Sequence, residues 1–323
     1  MVCLIDVHSH FCPVKFLKEA EKKRNCVYPP RLERLLSCLP SMSDPQVRIA
    51  AMDDQGIDRS VLSLAAVNVW PWNPRKAREL SRLANEELAF VKDRHPDRFE
   101  VLGTVPLEDP MEAPKELRYL MLTLGFPGVM IGANIQGRLL DEPAFAEFWE
   151  MADELGAVIF LHPAEFYGLP ALGDFDLMRL LGFLFDTSLA VARMALSGHL
   201  ERYRRVRIIV PHLGGVLPFV LDRLDRGYVI FEETRRGAPY TPSYYLKNLF
   251  YDTASFHRPA LLTTLEMVGA SRLLLGSDTP NPIGGIGEAV RMIRELGLSP
   301  EEESAVLEDN ARDLFSSRGS RVD

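Results

Sequence analysis

The chain has 323 residues, 47% of them hydrophobic, and a formal net charge of −8. This length allows one large core, and a single α/β barrel would account for it. The acidic balance and the lack of a lysine- or arginine-rich block argue against binding to nucleic acids or anionic membranes. No apolar run approaches the roughly 20 residues of a membrane helix, and an apolar run begins almost at once, so we expect no secretory leader. We therefore expect a cytoplasmic protein whose partner is a small molecule.

Eight short apolar runs along the chain predict β-strands. They are residues 3–7, 60–65, 99–105, 127–133, 157–162, 206–212, 249–254 and 272–278. Amphipathic stretches between them predict helices. These are residues 75–94, 110–124, 143–155, 216–228, 259–268 and 284–296. Strands that are nearly all apolar and that alternate with helices are typical of a (β/α)8 TIM barrel, so we predict a single barrel domain over residues 1–323.

Three segments depart from this regular alternation. Residues 13–44 form a small insertion after the first strand, and residues 175–197 form an apolar stretch longer than an ordinary barrel helix. Both follow the carboxyl end of a strand, where barrel active sites are built, so we predict a lid and a dimer surface respectively. Residues 300–315 predict C-terminal helices that close the opposite end of the barrel.

All four cysteines fall within the first 38 residues, and no two of them form a C-x-x-C pair. Free thiols are the default in a reducing compartment, which is where we place the protein. A disulfide between Cys26 and Cys38 is the alternative.

Two histidines end the first predicted strand, in the sequence LIDVHSHFCP at residues 4–13. Residues i and i+2 of a strand share a face, so the imidazoles of His8 and His10 point the same way. Two parallel imidazoles form half of a metal site. A pair of hydrogen-bonded core histidines is the alternative at this point.

Three other predicted strands also end in residue types that bind metals. His162 ends the fifth strand, His212 the sixth and Asp278 the eighth. Because the active site of a barrel forms at the carboxyl ends of its strands, this distribution favours a metal site. His95 and His199 follow predicted helices, where a partly positive imidazole is favourable, and we assign them no chemistry.

This pattern resembles the amidohydrolase superfamily, which has His-x-His on strand one, histidines on strands five and six, and aspartate on strand eight. More narrowly, the chain resembles the amidohydrolase 2 branch, which includes aminocarboxymuconate-semialdehyde, γ-resorcylate and 6-methylsalicylate decarboxylases. The resemblance is carried by IDVHSHFCP, VRIAAMDDQGID, LGFPGVMIG, FLHP, FDTSLAVARMALSG, PHLGGVLPFVLDR, YDTAS, LLLGSDTP and NARDLF. It implies a metal-dependent, non-oxidative decarboxylase of a small aromatic or unsaturated carboxylic acid.

The resemblance also implies roles for the strand-end residues. His8, His10, His162 and Asp278 would bind one divalent ion, with Zn2+ favoured and Mn2+ as the alternative. His212 would lie beside the ion as an acid or base, and a strand-end hydrogen bond is its alternative role. Asp278 would also move a proton, which requires an environment that shifts its pKa.

A second metal ion of the kind seen in binuclear members is not expected. Those members bridge two ions with a carboxylated lysine at the end of strand four. No lysine occurs between Lys115 and Lys247, and the fourth predicted strand ends in IGAN at residues 131–134. The resemblance therefore implies a mononuclear site with an open position for water or substrate.

The substrate contacts are less defined. Arg223 matches the position at which the semialdehyde decarboxylase offers an arginine from the neighbouring subunit to the substrate carboxylate, a group that arginine binds bidentately. A solvated helix residue is the alternative. A second family arginine falls in the shortened insertion, where Arg31 and Arg34 are nearby candidates.

Several aromatic residues and one histidine follow strand ends and are candidates to line the pocket. His257 follows strand seven, and Trp70, Trp72, Phe166 and Tyr167 follow two other strands. Their rings could stack on an aromatic substrate. Packing within the core or the loops is the alternative for each.

The apolar run from Leu177 to Leu196 presents more apolar surface than one barrel requires. With the resemblance, it predicts a homodimer or a higher even oligomer whose sites are completed by Arg223 of the second chain. Since the metal residues alone do not separate decarboxylation from hydrolysis, a hydrolase or hydratase of a related ring-cleavage product is the alternative function. A catalytically silent binding protein is disfavoured because the ligand set is intact.

Overall fold

The computed structural model describes residues 2–21, 40–64, 68–70, 72–164, 170–235 and 237–316. Within these ranges, eight short strands correspond to the eight predicted apolar runs, each within a few residues. They are β1 Ile5–His10, β2 Arg59–Ser63, β3 Phe99–Val101, β4 Gly128–Gly132, β5 Val158–His162, β6 Arg207–Val210, β7 Phe250–Asp252 and β8 Leu273–Leu274.

The strands pair in parallel around a closed barrel. One section has the order β1-β2-β3 and the other the order β8-β7-β6-β5-β4. Isolated bridges join the two sections on both sides, from Ser9 to Thr279 and from Gly103 to Val129. The predicted (β/α)8 barrel is therefore confirmed. Because the strands are parallel, their carboxyl ends all lie at one end of the barrel.

Helices surround the barrel, and most of them pack buried residues on the strands. They are Val14–Glu21, Pro45–Asp54, Pro74–Arg94, Ala113–Leu122, Ala146–Leu155, Phe183–Leu196, His199–Arg202, Leu217–Ile230, Pro242–Leu246, Arg258–Val268, Ile286–Arg294, Pro300–Ser304 and Asn310–Ser316. In the described part of the chain, no helix is both long and apolar enough to cross a membrane.

The three irregular segments differ in part from their predictions. The insertion contains a helix, Val14–Glu21, and a short 3-10 turn, Pro40–Met42, while residues 22–39 lie outside the described residues. The long apolar stretch is not one α-helix, because a π-helical turn, Met178–Gly182, precedes helix Phe183–Leu196. The lid and the dimer surface stay predictions.

The C-terminal helices pack at the amino ends of the strands. The carboxylate of Glu308 accepts from the backbone N–H of Cys3, just before β1. Asn310 donates to the carbonyl of Leu273 at the start of β8, and Arg207 at the start of β6 donates to the carbonyl of Leu314. These contacts place the C-terminal helices at the end of the barrel opposite the carboxyl ends of the strands.

Of the four cysteines, the structure describes two. Cys3 is a free thiol, and Cys12 is buried directly after the histidine pair. Cys26 and Cys38, which could form the alternative disulfide, lie outside the described residues.

Candidate metal centre

The carboxyl ends of β1, β5, β6 and β8 bring together His8, His10, His162, His212 and Asp278. The Nε2 atoms of His8 and His10 are 3.2 Å apart. Asp278 Oδ1 lies 3.2 Å from the Nε2 of His10 and 3.4 Å from the Nε2 of His8. Strand alternation directs both β1 imidazoles into the barrel, as the His-x-His spacing requires.

The cluster contains two overlapping sets of possible metal ligands that share His8. The ligand atoms of His8, His10 and His162 lie within 4.8 Å of one another, and so do those of His8, His212 and Asp278. Two imidazole nitrogens 3.2 Å apart either share a proton or both face a cation. Three imidazoles and a carboxylate are a donor set that fits a divalent ion such as zinc or manganese.

Burial and opposite charges shift the pKa values of these groups in different directions. Burial lowers the pKa of His8, but the carboxylates of Asp252 and Asp278 outweigh it and raise that pKa to about 9. Burial lowers the pKa of His10, and burial together with the neighbouring histidines lowers the pKa of His162 well below its usual range. The pKa of Asp278 lies well below its usual range because the histidines outweigh the effect of its burial. The cluster is therefore arranged around an ionised carboxylate.

The other ring nitrogens of three histidines differ in their partners. The Nδ1 of His8 lies 2.7 Å from Asp252 Oδ2, and the Nδ1 of His162 lies 2.9 Å from the carbonyl oxygen of Pro163. In a neutral ring, as a metal ligand must be, an N–H at Nδ1 leaves Nε2 as the nitrogen with a free lone pair. In contrast, the Nδ1 of His212 is buried and has no partner among the described residues, and its Nε2 lies 3.7 Å from Asp278 Oδ2.

The backbone at two of the strand ends is strained. His212 and Leu213 have φ angles of 54° and 56°, and Asp278 has a φ angle of 56°. Non-glycine residues rarely adopt this left-handed conformation, which costs on the order of 1–3 kcal/mol at each position. Such strain is typical of residues whose side chains must be aimed at a functional site. The side-chain amide of Asn281 further fixes Asp278 by donating to Oδ1 at 2.6 Å.

The sequence reasoning missed two residues that support the cluster. Asp252, at the end of β7, is fully buried and contacts His8 as described above. Arg48, in helix Pro45–Asp54, is buried and donates to the carbonyl of His10 and to the hydroxyl of Thr279, next to Asp278. The motif YDTAS could have revealed Asp252, because it places a carboxylate directly after an apolar strand. No local pattern distinguishes Arg48 from a solvated helix residue.

The predicted substrate-binding residues have different positions. The ring centroid of Trp70 lies 6.5 Å from that of His162, so Trp70 forms a wall beside the cluster. Trp72 is also buried, and neither indole N–H has a partner among the described residues. Arg223 and His257 are exposed on the surface of the single chain. Phe166 and Tyr167 lie outside the described residues.

Curated relatives and solved structures resemble this chain over most of its length. The 2-amino-3-carboxymuconate-6-semialdehyde decarboxylase of Dictyostelium discoideum is 29% identical over 318 residues, covering 92% of this chain and 88% of its own. The gamma-resorcylate decarboxylase of a Rhizobium species is 30% identical over 292 residues, covering 84% and 87%. Both are named for decarboxylation.

Two solved structures share the fold and are also named as decarboxylases. The 5-carboxyvanillate decarboxylase of Sphingomonas paucimobilis has a TM-score of 0.88 at 25% identity, covering 98% of this chain and 99% of its own. A dihydroxybenzoic acid decarboxylase of a Polaromonas species, solved with bound manganese and an inhibitor, has a TM-score of 0.82 at 25% identity, covering 98% and 97%. The amidohydrolase family model matches residues 5–316, and the chain therefore belongs to the amidohydrolase family, as its motifs predicted.

Proposed function

We propose that the protein is a metal-dependent, non-oxidative decarboxylase of a small aromatic or unsaturated carboxylic acid. The observation that carries the proposal is the cluster of four histidines and one aspartate at the carboxyl ends of the barrel strands. The relatives that cover most of the chain are decarboxylases of acids of this kind. This chain combines several side chains that can bind a metal ion with a histidine that can carry a proton.

The proposed metal ligands are His8, His10, His162 and Asp278, which would hold one divalent ion. When bound, the ion would supply a positive charge that holds the oxygen atoms of the substrate. Zinc suits three imidazoles and a carboxylate. The manganese in the Polaromonas relative makes manganese the alternative, and metal analysis of the purified protein distinguishes the two.

In the proposed reaction, the carbon that loses carbon dioxide must gain one proton. The electrons of the broken carbon–carbon bond then form the new carbon–hydrogen bond, and no oxidant is needed. His212 is the proposed acid, because its imidazole borders the cluster and its Nε2 faces the carboxylate of Asp278. Asp278, which is ionised, would orient the imidazole and pass to it a proton taken up from solvent, which replaces the one that His212 gives to the substrate carbon. Trp70 would exclude water from one side of the substrate.

We also propose that the protein is a homodimer or a higher even oligomer. Phe185 and Leu189, one turn apart on helix Phe183–Leu196, are 42% and 44% exposed, so together they present apolar surface on one face of the helix. Phe219 is 90% exposed on helix Leu217–Ile230, and Arg223 lies one turn further along the same face. A two-fold interface that covers these residues would carry Arg223 toward the second chain. There its guanidinium would bind the substrate carboxylate.

Complementation tests the proposed assembly. An Arg223→Ala chain is mixed with a His162→Ala chain under conditions that exchange subunits. In a mixed dimer, one pocket carries both defects and the other carries neither, so activity should return in a fraction of the sites. A fully active monomer in sedimentation, or no recovery despite measured exchange, would return Arg223 to the role of a solvated helix residue.

The alternative function is a hydrolase or hydratase of a related ring-cleavage product, on the same metal centre. A panel of hydroxybenzoates, muconate-type acids, lactones and amides distinguishes the two. We expect carbon dioxide to be released from at least one of the acids. Turnover of lactones or amides without release of carbon dioxide from any acid would show that the proposed function is wrong. We further propose a cytoplasmic location, which fractionation of the source cells would test.

A further inference from the structure

We propose that Asp252 is a positioning residue that acts on two parts of the centre at once: it sets which nitrogen of His8 faces the metal, and it holds His212 in place. This inference rests on the metal centre of the proposed function. It assigns a role to a fully buried carboxylate that neither binds the ion nor touches substrate in the proposed reaction.

The two oxygens of Asp252 have separate partners. Oδ2 lies 2.7 Å from the Nδ1 of His8. Oδ1 accepts from the backbone N–H of His212 at 2.8 Å and from the backbone N–H of Ala254 at 3.0 Å. One carboxylate therefore connects the end of β7 with a proposed ligand on β1 and with the proposed acid after β6.

The contact with His8 determines the tautomer of the imidazole. A carboxylate can only accept, so the proton of a neutral His8 lies on Nδ1. Its Nε2, 3.2 Å from the Nε2 of His10, then has a free lone pair for an ion. Carboxylates that bind metal-ligating histidines in this way orient the ring and make it a stronger ligand.

The contact between Asp252 and the backbone of His212 helps to fix the position of the His212 imidazole, which has few other restraints. The Nδ1 of His212 has no partner among the described residues, so no hydrogen bond on that side of the ring fixes it. The backbone of His212 is also strained, with a φ angle of 54°. The hydrogen bond from its N–H to Asp252 Oδ1 stabilises this conformation and thereby places the imidazole beside Asp278.

Asp252 and His8 pack closely against Gly276. A Cβ atom at Gly276 would lie 2.8 Å from the Cβ of Asp252 and 3.1 Å from the Cβ of His8. The glycine thus allows the three strand ends to approach closely, and Asp252 is fully buried at this point. We therefore expect a substitution of Asp252 to act through its hydrogen bonds and not through a new side-chain position.

Asp252→Asn separates the chemistry of this residue from its shape. The two backbone N–H groups require an acceptor, so the amide oxygen of Asn takes the position of Oδ1 and the NH2 group faces His8. The Nδ1 of His8 must then accept, and its proton moves to Nε2, the nitrogen that faces the proposed ion. If the amide turns over instead, its NH2 group meets two N–H donors and the restraint on His212 is lost.

The experiment compares the wild type, Asp252→Asn and a control, Glu116→Gln. The control removes the charge of another buried carboxylate, which contacts Arg82 and Asn85 instead of the cluster. Zinc affinity is measured by competition with a chelator. We expect Asp252→Asn to weaken it about 10- to 100-fold and the control to leave it unchanged. At saturating zinc, kcat should fall only if the amide turns over, because His212 loses its restraint in that orientation alone.

A second measurement needs no variant and decides the question if Asp252→Asn does not fold. Nitrogen NMR of the zinc-loaded wild type, labelled in its histidines, should show His8 with a proton on Nδ1 and zinc on Nε2. Zinc on Nδ1 of His8, or an Asp252→Asn variant in which both the zinc affinity and kcat are unchanged, would overturn the proposal. The affinity and NMR measurements use no substrate, so a failure to find a decarboxylated acid would count against the proposed function alone.

Discussion

Glu108→Gln should stabilise the protein at neutral pH. Glu108 follows β3, and neither of its carboxyl oxygens, which are buried, has a hydrogen-bond partner in any other described residue. Burial raises the pKa of Glu108 from 4.5 to about 9. At pH 7 the folded protein therefore holds this carboxyl neutral, whereas the unfolded chain ionises it. Folding must take up a proton, and this opposes folding at neutral pH.

The magnitude follows from the distance between pH 7 and the ordinary pKa. Each pKa unit corresponds to about 1.4 kcal/mol, so protonating the carboxyl at pH 7 costs about 3 kcal/mol of folding free energy. Glutamine does not ionise and so removes this cost, but burying its amide without hydrogen-bond partners is itself unfavourable. We therefore expect the free energy of unfolding to rise by about 2 kcal/mol in total. Because the folded pKa is raised, the penalty is absent below pH 4.5 and grows as the pH rises toward 9.

Urea unfolding of wild type and Glu108→Gln at several pH values between 5 and 8 measures this difference. The gain in free energy of unfolding should increase by about 1.4 kcal/mol for each pH unit in this range. Glu116→Gln is the matched control, since the carboxylate of Glu116 accepts from Arg82 and that substitution should destabilise the protein. A gain that does not change with pH, or a loss at every pH, would refute the reasoning.

Two further predictions concern the metal centre and the pH dependence of stability. Metal analysis of the purified protein should find about one equivalent of divalent metal, and two tightly bound equivalents would contradict the mononuclear site. The variants His162→Ala and Asp278→Ala should lose most of the metal. In contrast, His212→Ala should keep the metal, and kinetics should show a turnover lower by about 10²- to 10⁴-fold. Burial lowers the pKa of His199 to about 4, so its contribution to stability is complete above pH 6.5 and is lost as the pH falls toward 4. When the pH falls from 7 to 5, the free energy of unfolding in urea should therefore decrease by about 2 kcal/mol less in His199→Gln than in the wild type. An identical decrease in both proteins would show that His199 is not responsible.

Several parts of the site could be predicted from the sequence because they depend on local periodicity. The strand positions followed from short apolar runs, and the common direction of His8 and His10 followed from strand alternation. The positions of His162, His212 and Asp278 at the ends of parallel strands implied a shared location, because a barrel gathers those ends at one side. The structure places all five side chains together.

Other features depend on contacts between segments far apart in the chain. Asp252 and His8 are 244 residues apart, and Arg48 contacts Thr279 across 231 residues. No periodic pattern encodes such contacts, since they arise only when the barrel closes and strand ends meet. The missing hydrogen-bond partner of Glu108 is likewise a property of the packed structure.

The sequence by itself therefore determined the barrel, its eight strands and the residue types available for a metal centre, because these depend on side-chain periodicity and on the order of elements along the chain. Only the tertiary structure decided which carboxylates support the centre and which buried groups lack partners. The physical reason is that hydrogen bonding and burial depend on the three-dimensional neighbours of each atom, and barrel closure brings those neighbours from opposite ends of the chain.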